Sequence, residues 1–445
     1  KMGDLCAQKG IPWIFHSDGD LTEVIEDLIG CGFNAIHPIE VLFTLMGTGW
    51  HLWTLGEYVA LTRDSGWLRQ VAPAVENVCR WIVRQREKTM QRAPDGEPVP
   101  EYGLMPPGVM ADWNAYAYYF ALNGYYCAGL YHAARALADA GIAGAEELPQ
   151  ESQRFRRDIL RAYRQTQAQM PVVPLQDGTW VPGSPSQVHC PAPTAHLFPG
   201  EDANRSWAYD VELGAHQLVP QAVIPSDSRE TGWIMDYLED VAFLQSGWFD
   251  YPAEQNHKDW FNLGGFSKVQ PYYTRNPEIY ALRNDRKPFI RSYFNMLASL
   301  LNEETLWLWE HFNNTGAWNK THETGYFLQQ TRFMLAMEHD NELWLAPLVP
   351  GHWLKDGQSI HVQNLLTRFG TVSYRLRSCL AQGVIEVEVT LADVSDGVTT
   401  CLRLPHPDGK LIRRVEVNGQ PHNDFTGDCV RLQPGAGKTM VRVSF

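Results

Sequence analysis

The chain of 445 residues is long enough for two or three domains, and its 44% hydrophobic and 20% charged residues predict a sizeable buried core. The sequence contains no run of about 18 apolar residues, so we expect no membrane-spanning helix. The net charge of −14 argues against a protein that binds nucleic acids or anionic membranes. The 16 Trp, 18 Tyr and 18 Phe residues can fill a core or line a cleft for sugar rings.

The eight cysteines are dispersed and form no CxxC pair, which predicts reduced core thiols in a cytoplasmic protein rather than a zinc site or a disulfide scaffold. The first ten residues do not resemble a secretion signal because Asp4, Gln8 and Lys9 interrupt any apolar region. The abrupt start of the chain is also compatible with a lost export signal.

Residues 1–40 read as a short βαβ-like segment, with strands at Ile11–Phe15 and Phe33–Ile36 and a helix at Leu21–Ile29. The phrases GIPWIFHSDGD and LIGCGFNAIHPIE closely resemble a late βαβ segment of the uroporphyrinogen decarboxylase family, whose fold is a (β/α)8 barrel. One unit of such a barrel cannot form the family's active site, so this resemblance implies no catalytic role.

Residues 41–340 form a predicted helical domain in which the helices follow one another as hairpins. Helical spacing of apolar residues predicts helices at His51–Leu61, Val71–Lys88, Tyr116–Ala140, Glu147–Ala168, Asp210–Leu218, Gly232–Leu244, Pro277–Leu282, Lys287–Asn302 and Thr324–Met337. Repeated hairpins bury their inner faces only against neighbours, in a solenoid or a closed α/α toroid. The long Trp-, Gly- and Pro-rich loops fall at one end of the hairpins, which favours a toroid with one functional rim.

Residues 341–445 switch to an alternating pattern with Gly, Asp, Pro and Asn turns, which predicts a small antiparallel β-sandwich. The predicted strands are Ser359–Val362, Thr371–Arg377, Val384–Leu391, Thr400–Leu404, Arg414–Val417, Cys429–Leu432 and Thr439–Phe445. The predicted fold class is therefore mainly α with a β domain.

A sugar hydrolase requires two carboxyl groups, one protonated and one ionised, on opposite sides of the glycosidic bond. The first candidate is Asp112, which follows a Gly- and Pro-rich loop. Trp113 could offer a ring face to a sugar and Asn114 a hydrogen bond to a hydroxyl. The alternative is that Asp112 is the N-cap of the Tyr116–Ala140 helix.

The second candidate is Glu310, which is surrounded in sequence by Trp309, His311, Phe312 and Trp318. Desolvation by aromatic side chains is one way in which proteins tune the pKa of a carboxyl group. The alternative is a solvated Glu at a helix end.

Glu323 competes with Glu310 as a substrate-binding residue or substitute base, although negative charge is also favoured at a helix N-terminus. Its neighbour His322 is a further substrate-binding candidate, and the pair does not form the HExxH motif of metalloproteases. Arg229 and Glu230 could hold sugar hydroxyls or form an ordinary capping salt bridge, and Trp233 accompanies them.

Three residues near the start of the first clear helix could line the same rim: Trp50, His51 and Trp53. Core packing is the expected role of at least one of these aromatic residues. The sequence shows no phosphate-binding Gly loop and no metal-ligand spacing, so we expect no cofactor and no metal.

The order of these features resembles the six-hairpin, (α/α)6 glycosidase superfamily, which includes glucoamylases and trehalases, over about residues 45–340. The phrase GEYVALTRDSGWLRQVAPAVENVCRWIVRQR is similar to its recurring helix–TGD–helix hairpin. In glucoamylase-like members the general acid precedes the helix after this hairpin, the position of Asp112. The base lies in an E-x-x-D/N-x-x-TG phrase, which the segment from Glu310 to Gly316 resembles. Such enzymes often carry an accessory β-domain.

Members with this layout are mostly inverting, so the resemblance implies that Glu310 activates water at ~6.5–9.5 Å from the acid. The chain departs from the pattern because only two clear helices precede the Tyr116–Ala140 helix, where the superfamily has about five. An incomplete barrel exposes apolar helix faces to water, which costs a free energy of ~25 cal/mol per Å² of exposed apolar surface. We therefore expect a partner, such as a second copy of this chain, or missing sequence to cover them.

The leading hypothesis is a glycoside hydrolase that acts on an oligosaccharide or glycoside by general acid and base catalysis. A polysaccharide lyase is the enzyme alternative, although lyases favour a basic cleft and the chain is acidic. A non-catalytic carbohydrate-binding protein with an incomplete barrel is the third hypothesis. A porphyrinogen decarboxylase is disfavoured because only one barrel unit is present.

Overall fold

The structure of the protein is a computed structural model that describes residues 8–9, 14–16, 35–37, 46–110, 116–142, 145–193, 210–243, 265–267, 270–312, 316–392, 397–433 and 437–445. The described part combines helices with predominantly antiparallel sheets, so the protein is of the mixed helical and β class. No helix in these ranges is long and apolar enough to cross a membrane.

Two short strands near the beginning, β1 (Ile14–His16) and β2 (Ala35–His37), pair in parallel, with Ile14 opposite Ala35. Parallel neighbours require a crossover connection between them, as in a βαβ unit. The helix that the sequence predicts between these strands, Leu21–Ile29, lies outside the described residues.

The helices of the middle region occupy the predicted places, with shifted ends. They are α1 (Met46–Thr62), α2 (Ser65–Glu87), α3 (Phe120–Asp139), α4 (Leu148–Gln167), α5 (Arg229–Tyr237), α6 (Asn276–Arg283), α7 (Arg286–Leu300) and α8 (Thr321–Leu335). Helix α2 begins six residues before the predicted start at Val71, because the Asp64 carboxylate accepts a hydrogen bond from the N–H of Trp67 and caps the helix there.

Helices α1 and α3 approach each other unusually closely because glycines form the contact. A Cβ atom on Gly49 would lie 2.5 Å from the carbonyl carbon of Tyr125, and one on Gly56 would lie 2.5 Å from the Cβ of His132. On the other side, a Cβ on Gly129 would lie 2.2 Å from the carbonyl oxygen of Gly49. Any side chain at these positions would force the two backbones apart.

Two of the predicted helices are irregular. The helix predicted at Asp210–Leu218 is mainly a 3-10 turn over Ala215–Leu218, and the one predicted at Gly232–Leu244 is α5 followed by a π-helical turn over Leu238–Ala242. Helix α8 ends two residues before its predicted end, since Ala336 is extended and begins the first strand of the β region.

The β region contains two sheets that share one apolar core. The five-stranded sheet has the order β13 (Phe425–Thr426), β14 (Cys429–Leu432), β10 (Thr399–Arg403), β6 (Glu342–Leu345) and β5 (Ala336–His339). The six-stranded sheet has the order β12 (Gln420–His422), β11 (Arg414–Val417), β15 (Gly437–Ser444), β9 (Val384–Ala392), β8 (Gly370–Cys379) and β7 (Ser359–Thr367). The pairs in these two sheets are antiparallel apart from β10 with β6. Two further strands, β3 (Val172–Pro174) and β4 (Trp180–Pro182), form an antiparallel pair after α4.

The alternation of buried and more exposed residues along a strand explains which side chains form this core. In β8 the side chains of Val372, Tyr374 and Leu376 are buried while the intervening residues are more exposed. Because successive side chains of a strand point to opposite faces, this pattern covers one face of the sheet with apolar groups. The predicted strands in this region are therefore present, whereas the short strands β5, β6, β12 and β13 were not predicted.

The expectation of reduced thiols is wrong for one pair of cysteines, because Cys401 and Cys429 form a disulfide. Strands β10 and β14 pair side by side and bring these two residues together across 28 positions of sequence. Cys79 and Cys127 are free and buried, and burial raises the pKa of each thiol to about 12, as expected of core thiols.

The buried guanidinium group of Arg86 connects helix α2 to helix α4. The guanidinium of Arg86 is fully buried at the end of α2, where it donates to the carbonyl of Gly103 and to the Asp158 carboxylate, both at 2.8 Å. The Arg86 guanidinium also lies 4.3 Å from the ring centroid of Phe155 on α4. A buried guanidinium is stable only when its N–H groups find such partners, so Arg86 fixes the end of α2 against α4.

We predict that Arg86→Met lowers the free energy of unfolding by about 3 kcal/mol, the lower end for breaking a buried ion pair, because Asp158 can be partly rehydrated. Urea denaturation followed by circular dichroism measures the change. The matched control is Arg84→Met on the exposed side of the same helix, which should change stability by less than about 0.5 kcal/mol. Equal effects of the two substitutions would contradict this assignment.

Candidate active site

Part of the predicted acid site lies outside the described residues, namely Asp112, Trp113 and Asn114. The chain on either side is described, and Gly108 and Ala117 exchange two backbone hydrogen bonds of 3.1 and 3.0 Å. Helix α3 begins at Phe120 and its N-cap residue is Tyr119, so the N-cap of this helix lies seven residues after Asp112. The alternative that Asp112 caps this helix is therefore wrong.

Glu310 lies in the segment that joins α7 to α8. Backbone hydrogen bonds fold this segment: the N–H of Trp309 donates to the carbonyl of Leu300, and the N–H of Lys320 donates to the carbonyl of Leu308. The N–H of Glu310 itself donates to the carbonyl of Ala317 at 2.8 Å. These bonds place Glu310 and Lys320 side by side before the first turn of α8.

Gly316 makes the tight fold around Glu310 possible. Its φ of +79° lies in the left-handed region that favours glycine. A Cβ atom at this position would also lie 2.6 Å from Cδ2 of His311 and 3.1 Å from Oε2 of Glu310. A larger residue at 316 would therefore displace the carboxylate.

Four residues with N–H groups surround the Glu310 carboxylate in the described part of the chain. Lys320 Nζ lies 2.6 Å from Oε1, and Nε2 of Gln270 donates to the same oxygen at 3.0 Å. The other oxygen, Oε2, accepts a longer bond of 3.3 Å from the N–H of Ala317 and lies 3.9 Å from Nε2 of His311. Oxygen Oε2 therefore has the weaker contacts.

The electrostatic environment of Glu310 favours the ionised form of its side chain. Burial by itself raises the pKa of the carboxyl group, but the hydrogen bond from Lys320 and the charges of His311 and Lys320 outweigh it, so the pKa of Glu310 lies below its ordinary value. The side chain remains 18% exposed. Glu310 is therefore a carboxylate that solvent molecules can reach.

Glu323 has a different environment. It is fully buried, and its two oxygens accept hydrogen bonds from the backbone N–H groups of Tyr272 at 2.8 Å and Tyr273 at 3.1 Å. Burial raises the pKa of Glu323 to about 8. The residue is inaccessible to a sugar in this structure and instead connects α8 to the turn that precedes α6.

His322 lies beside Glu323 at the same helix end. Its Nε2 atom is 3.5 Å from Oε1 of Glu323, a distance and geometry that form no hydrogen bond. Burial, together with the charge of Lys320, lowers the pKa of His322 to about 3, so its ring is neutral at physiological pH. We name these residues the Glu310 cluster: Gln270, Glu310, His311, Lys320, His322 and Glu323.

Two indole rings in the segment that carries Glu310 are open to solvent. Trp307 is 44% exposed and Trp318 is 48% exposed, whereas Trp309 is half-buried against the helical core. Exposed indole faces are suited to contact the apolar faces of sugar rings. Trp318 was predicted as a binding residue and Trp307 was not.

The predicted rim residues of α1 divide between core and surface. Trp50 is half-buried, with its ring centroid 5.9 Å from that of Tyr273 and 6.2 Å from that of Tyr326. Trp53 is also half-buried, and the buried guanidinium of Arg275 lies 4.8 Å from its ring centroid. His51 is exposed. Both indoles thus pack against the helical core, as anticipated for at least one of them.

Arg229 and Glu230 contact other residues, and the structure does not show the capping salt bridge expected between the two. Glu230 accepts two hydrogen bonds from Arg164 on α4, at 2.6 and 2.9 Å, and the Arg229 guanidinium lies 4.9 Å from the ring centroid of Trp233. Ser228 caps α5 by accepting from the N–H of Thr231. None of these contacts is with the Glu310 cluster.

Sequence reasoning missed two members of the Glu310 cluster. Lys320 is ten residues from Glu310, and a search for cations near the acid could have found it. Gln270 is forty residues away in an unremarkable polar stretch, and no pattern links it to the site. Among the described residues, no group of three or more His, Cys, Asp or Glu side chains is arranged to hold a metal ion.

Comparisons with known proteins give little further information. No family model matches the chain, and no curated protein matches it. A solved structure of an α-L-rhamnosidase from Dictyoglumus thermophilum is similar with a TM-score of 0.43 and 8% identity, over 88% of this chain and 39% of that one. The chain thus spans about two fifths of the length of that enzyme. A likeness of this size carries no argument about function.

We predict that Glu323 makes stability depend on pH. Because the pKa of Glu323 is raised from an ordinary 4.5 to about 8, the folded protein binds the proton more tightly than the unfolded chain. Its contribution is complete at low pH and is lost as the pH rises from about 5 to about 8. In Glu323→Gln this loss should disappear, so the free energy of unfolding from urea denaturation should fall less steeply across that range.

The amide nitrogen of Gln cannot accept a backbone hydrogen bond, so Glu323→Gln should also be less stable at pH 5 by about 1–3 kcal/mol. The control is Glu304→Gln, an exposed position in the segment that joins α7 to α8, which should keep the slope of the unmodified protein. An unchanged slope in Glu323→Gln would contradict the assignment.

Proposed function

We propose that this protein is a glycoside hydrolase in which Glu310 is the catalytic base. The observation that carries the proposal is the state of Glu310, an ionised and partly accessible carboxylate with exposed indole rings nearby in its segment. A glycosidase needs one carboxylate that remains ionised at neutral pH to activate water or attack carbon.

The contacts of Glu310 indicate which of its two carboxylate oxygens would act as the base. Lys320 and Gln270 both contact Oε1 and fix the orientation of the group. Among the described residues, Oε2 contacts the more distant N–H of Ala317 and Nε2 of His311, so it is the oxygen that would accept a proton from water. A base held in this way needs no reorientation during the reaction.

Asp112 is the proposed general acid. It lies in the chain between Gly108 and Ala117, whose mutual hydrogen bonds fix the two ends of this short segment. The N-cap position of α3 is occupied by Tyr119, which removes the competing role for Asp112. In an inverting mechanism the two carboxyl groups are ~6.5–9.5 Å apart, with the attacking water beside Glu310.

We further propose that the helices form an α/α toroid of the six-hairpin type that lacks part of its ring. Helix α1 packs against α3, and α3 packs against α4, in the manner of successive hairpins. Helix α1 carries apolar residues around most of its surface, including Tyr58, which is 44% exposed. A second copy of this chain, or further sequence, would cover such a face.

One observation favours a second candidate, a sugar-binding protein without turnover. The Glu310 carboxylate is already paired with Lys320 at 2.6 Å, and a paired carboxylate is a weaker base than a free one. Exposed indole rings and a fixed ion pair are sufficient to bind a saccharide. In this case the unmodified protein would be retarded in a gel that contains polysaccharide and would release no reducing sugar.

We predict that Glu310→Gln and Asp112→Asn each lower kcat on oligosaccharides by about 10²–10⁴-fold, the usual contribution of an acid or base group. On an aryl glycoside with a good leaving group the loss in Asp112→Asn should be smaller, because that group needs little protonation. Reducing-sugar release and aryl-glycoside hydrolysis measure the two rates.

The control for these variants is Glu304→Gln in the same interhelical segment, with folding compared by circular dichroism. Full activity of Glu310→Gln would reject the assignment of the base. An unsaturated, ultraviolet-absorbing group at the new non-reducing end, formed together with the reducing end, would instead identify a lyase.

We predict that Lys320→Met moves the acidic limb of the kcat/KM profile to higher pH by about one unit. A hydrogen bond to a charged group is worth about 1.5–3 kcal/mol, and one pKa unit is about 1.4 kcal/mol, so loss of Lys320 raises the pKa of Glu310. The profile is measured on an aryl glycoside from about pH 4 to about pH 8. Lys355→Met, on the β region, is the control and should leave the limb in place.

A further inference from the structure

The outer face of the six-stranded sheet carries a pocket that extends over three neighbouring strands, β7, β8 and β9. Its volume is about 290 Å³. The described residues that line it are mostly polar and lie on the face opposite to the apolar core. They include His361, Gln363 and Asn364 of β7, Ser373 and Arg375 of β8, and Glu388 of β9. We name this site the sheet pocket, and none of these residues belongs to the Glu310 cluster.

The register of the strands arranges the lining residues in two rows. His361, Arg375 and Glu388 lie directly opposite one another on successive strands. Ser373 and Thr390 are opposite each other in the second row. The rows are about 7 Å apart and each spans about 10 Å, because residues rise about 3.4 Å along a strand and strands are about 4.8 Å apart. The patch of donors and acceptors is comparable in size with one or two sugar rings.

A β-bulge in the edge strand β7 brings two amide side chains to the pocket. The register shifts between Val362 and Leu365, so that Gln363 and Asn364 together oppose Ser373. Asn364 has a φ of +50°, and its N–H donates to the Ser373 hydroxyl at 2.9 Å. Bulges of this kind bend a strand and re-aim its side chains. Both amides are exposed, whereas a regular strand would turn one of them towards the core.

Arg375 is the charged group of the pocket that is available to a ligand. It lies directly opposite Glu388, and opposite charges in such positions attract each other. The Glu388 carboxylate, however, lies 2.8 Å from Nζ of Lys438 on β15. Among the residues that the structure describes, Arg375 has no ion-pair or hydrogen-bond partner. Its fork of N–H donors is therefore exposed on the sheet surface.

The lining offers both kinds of hydrogen-bonding group side by side. The guanidinium of Arg375 only donates and the carboxylate of Glu388 only accepts, whereas the amide and hydroxyl side chains can do both. Glu388 and Lys438 are both exposed, so their attraction is weak, and a carboxylate can accept further hydrogen bonds. Neighbouring hydroxyl groups of a sugar need such a donor and acceptor together. One guanidinium and one carboxylate suit an uncharged ligand better than an ion.

We propose that the sheet pocket is a second, non-catalytic site that binds an uncharged saccharide. Arg375 donates to one hydroxyl group of a sugar ring and Glu388 accepts from the neighbouring hydroxyl, while Gln363 and Asn364 contact the ring from the side of the bulge. The volume lies slightly below the ~300–1,000 Å³ of sites for drug-sized ligands, which fits one or two sugar rings. The site does not need turnover at Glu310. In a hydrolase it would hold a polysaccharide near the enzyme and raise its effective concentration.

Affinity electrophoresis of the full chain tests this proposal. Native gels contain soluble starch, galactomannan, arabinoxylan or mixed-linkage β-glucan as uncharged probes, and polygalacturonate as an acidic probe. Mobility is referred to a gel without polysaccharide, which corrects for any altered charge of a variant. We expect at least one uncharged polysaccharide to retard the protein.

Two substitutions locate the site. Arg375→Met should raise the dissociation constant for that polysaccharide by about tenfold, because a hydrogen bond from a charged group is lost. Gln363→Ala should act in the same direction. The matched control is Arg377→Met, which is exposed on the same face of β8 but outside the lining and should leave the dissociation constant unchanged.

The outcomes separate this site from the proposed hydrolytic site. Arg375→Met should leave kcat on an aryl glycoside unchanged, because the residue is outside the Glu310 cluster. Retardation that Arg375→Met weakens, in a protein without turnover, would support the sheet pocket and reject the hydrolase. No retardation by any uncharged polysaccharide, retardation by polygalacturonate alone, or equal retardation of Arg375→Met and the unmodified protein would overturn the proposal.

Discussion

The arrangement of the candidate site depends on one buried carboxyl group. Glu323 lies in the first turn of α8, and its two oxygens accept the N–H groups of Tyr272 and Tyr273 in the turn before α6. Two residues earlier in that turn, Gln270 reaches Glu310, and three residues before Glu323, Lys320 reaches the same carboxylate. A hydrogen-bonded group in a low-dielectric interior is costly to displace. The two partners of Glu310 therefore owe their positions to Glu323, although neither contacts it.

The tryptophan residues of this chain serve two physically different purposes. Trp53 packs beside the buried Arg275, whose charge is balanced by Glu278 at 2.7 Å. Trp50 lies against the rings of Tyr273 and Tyr326. An indole in such a place contributes apolar area and a polarised face to the core. Trp307 and Trp318 are instead exposed. Composition alone cannot tell a core indole from a surface indole, because the same side chain serves both purposes. Only the burial of each ring in the folded protein distinguishes the two.

The sequence could predict those features whose residues lie close together along the chain. The amphipathic pattern of α2 predicted a helix, yet its start was placed six residues late because the Asp64 cap precedes the first clear apolar repeat. The aromatic surroundings of Glu310 are contiguous and identified the residue, whereas Gln270 reaches it only through the fold. The disulfide between Cys401 and Cys429 was missed for the same reason, since the pairing of two strands creates it. Contacts that only the tertiary structure creates cannot be recognised from the spacing of residues in the sequence.

The β region is connected to the helices by charge as well as by apolar contact. Glu338 accepts two hydrogen bonds from Arg332 on α8 and one from the backbone N–H of Arg368, and these partners hold the pKa of Glu338 below its ordinary value despite burial. Arg368 in turn donates to Glu57 on α1. The first helix, the last helix and one turn of the six-stranded sheet are thereby joined through four charged groups that are each other's main partners. Helix α8 carries Arg332 in its last turn and Glu323 in its first turn. The sheets therefore hold one end of the helix whose other end carries the carboxyl group on which the candidate site depends.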